Sequence, residues 1–230
     1  MLSKFKFSFN RFKSMVFCRN AFATKPISKV FGIDRGLPID RYYIEKFLSQ
    51  NKQFIKGVVL EIAESTYTRR FGGKDVKKSL VFNIKASRSK ADIIGNLETG
   101  EGIGENLIDC FILTQTLPFI YDIHKAVVNA LRMVKPGGTL LITVPGITQI
   151  SRYDMDRWGH YWSFTDASLL RLLLEVVPRS QIRIQTYGNV KAAACLLYGL
   201  AANELSSDDL EFHDPDYQVT ISAVVRKPLR

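Results

Sequence analysis

The sequence has little of what braces a fold through covalent or metal links. Its three cysteines, Cys18, Cys110 and Cys195, are scattered, with no CxxC pair and no Cys/His cluster at ligand spacing. That spacing excludes a zinc ribbon and a disulfide framework, predicts no metal centre, and points to a reducing, cytoplasmic setting. Apolar runs fall well short of the ~20 residues a spanning helix needs, so the expected protein is soluble or peripheral to a membrane. No internal repeat or low-complexity stretch interrupts the order of the chain.

Acidic residues are missing from two places. Residues 1–29 hold seven Lys/Arg and no Asp/Glu, and residues 69–90 hold eight Lys/Arg against Asp75 alone. These segments carry +7 each, leaving −4 for the rest of a chain of formal charge +10. The basicity is therefore local. No helix-turn-helix, zinc-finger or aromatic RNA-binding signature accompanies it, so a solvated basic surface is favoured over a nucleic-acid partner.

What is present is enough for one well-packed domain: 230 residues, 46% of them hydrophobic. The division expected is a basic, aromatic-rich, poorly ordered arm over residues 1–25 and a folded domain over residues 26–230. In the arm, Leu2, Phe5, Phe9, Phe12 and Val16 recur at near-helical spacing among Lys4, Lys6, Arg11, Lys13 and Arg19. Residues 1–24 could thus make weak contact with an anionic membrane surface, act as an organelle transit peptide, or remain a basic tail.

From residue 26 onward strands and helices alternate, which predicts an α/β domain with a parallel sheet covered on both faces. The expected strands are 58–62, 80–84, the region of Ile93 and Ile94, 107–113 and 139–144, with a closing strand at 217–225. Helices are expected over 120–134 and 192–205, and another is expected to begin at a capping Asp40 paired with Arg35. Strands this apolar are buried on both faces.

Ligands of such sheets sit beyond the carboxyl ends of the strands. After the first strand the sequence lacks the glycines that cradle a pyrophosphate and offers Glu61, Ala63, Glu64, Thr66 and Tyr67 instead. A carboxylate and hydroxyls suit an ammonium group or a ribose, so a dinucleotide is not expected. At the end of the fourth strand, Thr114, Gln115 and Thr116 either face a cofactor or cap the strand and the following helix. The segment "SRYDMDRWGHYWSFT" crowds Asp154, Asp156 and His160 with both tryptophans of the chain. Those three are candidate catalytic bases; the alternative is a packed cap in which the carboxylates pair with Arg152 and Arg157 while Trp158 and Trp162 fill a satellite core. "HDPDY" reads as turn chemistry rather than a metal site.

"VLEIAE", "NLIDCFILTQTLPFIYD" and "VKPGGTLLITVPG" resemble the first-strand, fourth-strand and fifth-strand motifs of class I S-adenosylmethionine-dependent methyltransferases. A narrower resemblance runs over residues 26–227, through "FGIDRGLPIDRYYIEKFL", "STYTRRFGG", "VPGITQISRYDMDRWGHYWSFT", "YGNVKAAACLLYGLAANEL" and "HDPDYQVTISAVV". It is to bacterial methyltransferase-domain proteins of the type 11-like kind, sometimes linked to glycosyltransferases. The resemblance implies a Rossmann-like seven-stranded, mostly parallel sheet with helices on both faces and an antiparallel last strand. It also implies S-adenosyl-L-methionine as cofactor, held by the residues named after strands one and four and by Asn96 and Leu97, and O- or N-methyl transfer to a small-molecule or glycan-type acceptor. The sequence departs from the broad class at three places. Ala63 and Glu64 replace glycines, Lys85 stands where an acid binds the ribose hydroxyls, and Asn96 stands where an Asp meets the adenine amino group. His160 stands where the narrower group usually has an acid. The rival reading is a catalytically silent methyltransferase fold that assists glycan-building enzymes.

Overall fold

The computed structural model describes residues 23–85 and 91–229. Most of the expected arm, residues 1–22, therefore lies outside the described residues, as does the end of the second basic segment. Seven strands form one sheet: β1 Gly57–Ile62, β2 Val76–Asn83, β3 Ile93–Ile94, β4 Ile108–Thr114, β5 Val134–Pro145, β6 Ile182–Tyr187 and β7 Thr220–Arg226. Their order is β3-β2-β1-β4-β5-β7-β6. Pairings among β1 to β5 are parallel, and β7 runs antiparallel to both β5 and β6. This is the expected Rossmann-like sheet, with its switch in strand order between β1 and β4.

The seven α-helices among the described residues are α1 Ile39–Gln50, α2 Thr66–Phe71, α3 Ile123–Met133, α4 Arg152–Trp158, α5 Asp166–Leu174, α6 Val190–Leu197 and α7 Ser207–Glu211. Strand alternation sorts the core into two. Leu60, Phe82, Phe111, Ile142 and Ile221 pack under α3 and α5, while Val59, Cys110, Ile112, Leu141 and Val224 pack under α1 and α6. Among the described residues no helix is long and apolar enough to cross a membrane.

Several boundaries differ from the pattern reading, each for a local reason. The helix expected from residue 120 starts at Ile123, because the Asp122 side chain accepts from the Lys125 N–H at 3.0 Å and Leu117–Phe119 forms a 3-10 turn. α6 stops at Leu197 rather than 205, since Gly199 turns the chain at φ 74°. Asp40 does not cap α1. Pro38 holds the N-cap position, and Asp40 accepts only from the neighbouring Arg41 N–H. Arg35 pairs with Glu204 instead, its Nε donating at 2.9 Å.

Candidate functional site

The crevice between β1 and β4 is marked by backbone strain. Ala63, just past β1, has φ 65°, and Gln115, just past β4, has φ 48°. Only two other non-glycine residues among those described, Phe31 and Asn106, have positive φ. L-residues enter the left-handed region at a cost of about 1 kcal/mol or more, and such strain gathers at ligand sites. The first loop thus keeps the turn that glycine would make, although alanine occupies it. Ala63 N–H donates to Phe82 O at 3.0 Å, tying the loop to β2.

Glu61 is buried at the end of β1. Its carboxylate accepts from the backbone N–H groups of Tyr67 (3.0 Å) and Thr68 (2.7 Å) and from the Thr68 hydroxyl (2.8 Å). Both oxygens are thereby committed to the amino end of α2, so Glu61 holds the loop in shape. Burial pushes its carboxyl up, against the downward pull of these bonds. Glu64 in this loop and Thr66 at the start of α2 are exposed, and the half-buried Tyr67 ring packs on Phe71 at 6.2 Å, with burial pushing its phenol up to about 12.

Asn96 and Leu97 are placed differently from each other. Asn96 Oδ1 accepts from the N–H groups of Glu98 (2.8 Å) and Thr99 (3.3 Å), so the acceptor expected to meet an adenine amino group is engaged in its own turn. Leu97 is buried in the core beneath α3, where its carbonyl accepts from Asn129 Nδ2 at 2.8 Å. After β4, Thr116 Oγ1 donates to Thr114 O at 2.9 Å, and Gln115 N–H donates to Thr143 O at 2.8 Å.

Unsatisfied polar atoms concentrate at this edge of the sheet. Seven buried side-chain nitrogen or oxygen atoms among the described residues lack a hydrogen-bond partner. Six of them are Asn83 Nδ2, Gln115 Nε2, Thr143 Oγ1, Thr220 Oγ1 and both ring nitrogens of His160. Asn83 ends β2, Gln115 follows β4, and Thr143 stands two residues before the end of β5; Thr220, paired in register with Pro145, opens antiparallel β7 beside that end. Native proteins leave few such atoms, because each costs about 1–3 kcal/mol.

The segment after β5 folds into the short helix α4. Ser151 caps α4, accepting from Asp154 N–H at 3.4 Å while its own hydroxyl donates to Asp154 Oδ2 at 2.5 Å. Asp156 faces outward and meets Arg152 at 3.5 Å. His160 packs edge-on against Phe119 at 5.2 Å; burial pushes its imidazole down and Asp154 pulls it up. Asp154 and His160 thus share a neighbourhood, and Asp156 stands apart from them. The packed-cap alternative holds for Asp156, which pairs with Arg152, and departs from the structure in two respects. Trp158 and Trp162 remain 38% and 36% exposed, and Arg157 stacks over Tyr153 at 3.6 Å instead of pairing with a carboxylate.

Lys85 was expected near a ribose. Its Nζ stands 5.6 Å from the centre of the Trp158 ring, linking the segment after β2 to the end of α4. Sequence reasoning also missed Thr143 and Thr220, although a threonine within the apolar run "LLITVPG" was a usable signal. In "HDPDY", His213 Nε2 meets Thr186 Oγ1 at 2.7 Å and Asp214 Oδ1 accepts from Asp216 N–H at 3.1 Å, as a turn does. A cleft of about 380 Å³ opens elsewhere, beside β6. Its Tyr43 and Tyr187 rings are buried and its Lys46 is paired with Glu211, so it offers little to a ligand.

No family model matches the sequence, and no curated protein is similar to it in sequence. Solved structures are similar in fold. A SAM-dependent methyltransferase from Archaeoglobus fulgidus has a TM-score of 0.52 at 10% identity, covering 81% of this chain and 94% of its own. The N-methyltransferase NodS from Bradyrhizobium japonicum, solved with S-adenosyl-L-homocysteine, has a TM-score of 0.51 at 14% identity, covering 88% and 94%. The [4+2]-cyclase SpnF has a TM-score of 0.52 at 14% identity, covering 90% and 89%. The cyclase marks a limit, since the fold alone does not dictate the reaction. In architecture, strand order and strand direction, this chain has the class I S-adenosylmethionine-dependent methyltransferase fold.

Proposed function

We propose that the protein binds S-adenosyl-L-methionine over the carboxyl ends of β1, β2 and β4 and transfers its methyl group to an oxygen or nitrogen of a small-molecule or glycan-type acceptor. The observation that carries this reading is the gathering of unpartnered buried polar atoms at the strand ends and in the segment after β5. A ligand there would satisfy them. Asn83 Nδ2 and Gln115 Nε2 are donors suited to the cofactor's carboxylate or ribose oxygens. Ala63, Glu64, Thr66 and Tyr67 would border the cofactor on one side and Thr114, Gln115 and Thr116 on the other, with Glu61 holding the first loop.

The cofactor supplies an electrophilic methyl group on a sulfonium, so what the protein must add is a base and an orientation. His160 is the base in this reading. Burial favours its neutral ring, both nitrogens are without protein partners, and Asp154 pulls the other way, favouring the imidazolium once a proton arrives. Asp156, outward and paired with Arg152, is the weaker candidate.

The test is a set of substitutions read by both affinity and rate. His160→Asn should slow methyl transfer ~100-fold or more while cofactor affinity stays within about two-fold. Equal rates per folded molecule would remove His160 from catalysis. The silent-fold reading is favoured by one pair of observations: Lys85 offers no acceptor to a ribose, and the Asn96 oxygen is engaged. It predicts no cofactor binding at all. In either reading the protein is cytoplasmic, with residues 1–24 making a weak contact with an anionic membrane surface. Loss of salt-dependent vesicle binding on deleting them tests that contact.

A further inference from the structure

Three aromatic side chains that the proposed chemistry does not use stand together and open to solvent beside His160. Tyr121 is 67% exposed, Tyr161 49% and Trp162 36%. Tyr121 meets Tyr161 edge-on with ring centres 5.5 Å apart and lies tilted by 35° against Trp162 at 6.2 Å.

The cluster is fixed from beneath. Trp162 Nε1 donates to Ile120 O at 3.1 Å and Tyr121 O at 3.2 Å, so its one polar handle points inward. Tyr161 N–H donates to Pro118 O at 2.8 Å. Gly159, at φ 87°, leaves room for the Tyr161 ring, since a Cβ there would fall 2.4 Å from Tyr161 Cζ. Rings this exposed contribute little to the core, yet their positions are set by named bonds and by a glycine. A surface of this kind is prepared for contact.

Its location says what kind. The shelf is assembled from the segment after β4 and the segment after α4, the same two that bring Phe119 against His160. The shelf therefore borders His160, through Phe119 on one side and Tyr161 on the other. Small free metabolites are held in enclosed pockets that bury 70–90% of their surface. An open shelf can cover one face only, which suits one unit of a longer molecule. The C–H-rich face of a pyranose packs on an aromatic ring while its hydroxyl rim stays in water. We propose that Tyr121, Tyr161 and Trp162 form a stacking shelf for a sugar ring within an extended carbohydrate acceptor. The proposal rests on the methyl-transfer reading for the role of the shelf; the binding itself requires no cofactor.

The experiment titrates the full chain with maltoheptaose, cellohexaose and chitohexaose, reading tryptophan fluorescence and heat. At least one should bind saturably below about 10 mM, and Tyr121→Ala should weaken it about ten-fold or more. Gly159→Ala, which displaces the Tyr161 ring, should do the same. Tyr121→Ala should keep the wild-type melting temperature within a few degrees, Gly159→Ala should melt lower because residue 159 sits at φ 87°, and both should keep the wild-type affinity for S-adenosylhomocysteine within about two-fold. Binding of none of the three at about 10 mM, or equal binding by Tyr121→Ala, overturns the proposal. So does binding of 4-hydroxybenzoate alone, or a concentration-dependent dimer that Tyr121→Ala abolishes. Failure to bind S-adenosylhomocysteine with the oligosaccharide still bound would count against methyl transfer and leave the shelf standing.

Discussion

Replacing Lys85 by Asp should tighten cofactor binding, and the size of the gain follows from geometry. Lys85 follows β2 and Trp158 ends α4 in the segment after β5, so their contact joins segments that leave strands on either side of β1 and β4. Nζ stands 5.6 Å from the ring centre, and on the proposed reading the pair lies over the cofactor's place. Ligand entry must open it. An exposed cation–π pair is worth about 0.5–1 kcal/mol, so opening it weakens the apparent affinity about two- to five-fold. Lys85→Met should recover that factor. Lys85→Asp should recover it and add a bidentate acceptor for the ribose hydroxyls, worth about 1–2 kcal/mol, for a combined gain on the order of ten- to one-hundred-fold. Trp158→Ala should match Lys85→Met, and the double variant should gain no more than either. The assay is calorimetric titration with S-adenosylhomocysteine across the set. Weaker binding by Lys85→Asp than by the unmodified chain would refute the reasoning, because Lys85 would then contact the ligand to advantage.

Other expectations follow from individual contacts. Glu61→Gln sets an amide N–H₂ against one of the donors that the carboxylate now accepts, at a cost of about 1–3 kcal/mol; the melting temperature should fall by roughly 3–8 °C, and an unchanged melt would show that the loop does not depend on Glu61. His160 should titrate below its ordinary value of 6.5, because burial disfavours its charged form. The unfolded chain then takes up that proton first, so this group's contribution to stability falls as pH drops below 6.5 and levels off past the folded value; a nuclear magnetic resonance midpoint at or above 6.5 would contradict it. Glu204 is held down to about 2 from 4.5, first by its bond to Arg35 and then by the Ala201 N–H. Its stabilisation is present above pH 4.5 and is lost as pH falls toward about 2, so hydrogen exchange over residues 27–37 should quicken across that window, and Glu204→Gln should abolish the pH dependence.

Much of the fold was legible because apolar runs such as "VVLEI" and "TLLITV" can be buried only as strands covered on both faces. Element ends were less legible, because they turn on single side chains. Asp122 caps α3 where the apolar periodicity alone would have begun it earlier. The site was partly legible. Glycine's absence at residue 63 read as the absence of a pyrophosphate cradle, yet Ala63 adopts the left-handed conformation that glycine would, with its N–H bonded to Phe82 O. The engaged oxygens of Glu61 and Asn96 could not be seen in sequence, because hydrogen-bond partners two to seven residues away depend on the path of the loop. Nor could the reach of Lys85 to Trp158, which lie 73 positions apart and meet only through the strand order.

Cofactor binding at the carboxyl ends of the strands is the claim on which the rest depends, and calorimetric titration of the unmodified chain with S-adenosylhomocysteine tests it directly. The fold, the strained turns at Ala63 and Gln115 and the unpartnered donors at Asn83 and Gln115 together predict saturable one-to-one binding with Kd between about 1 μM and 1 mM. A titration that releases or absorbs no heat at millimolar ligand would contradict it and leave a methyltransferase fold without its cofactor.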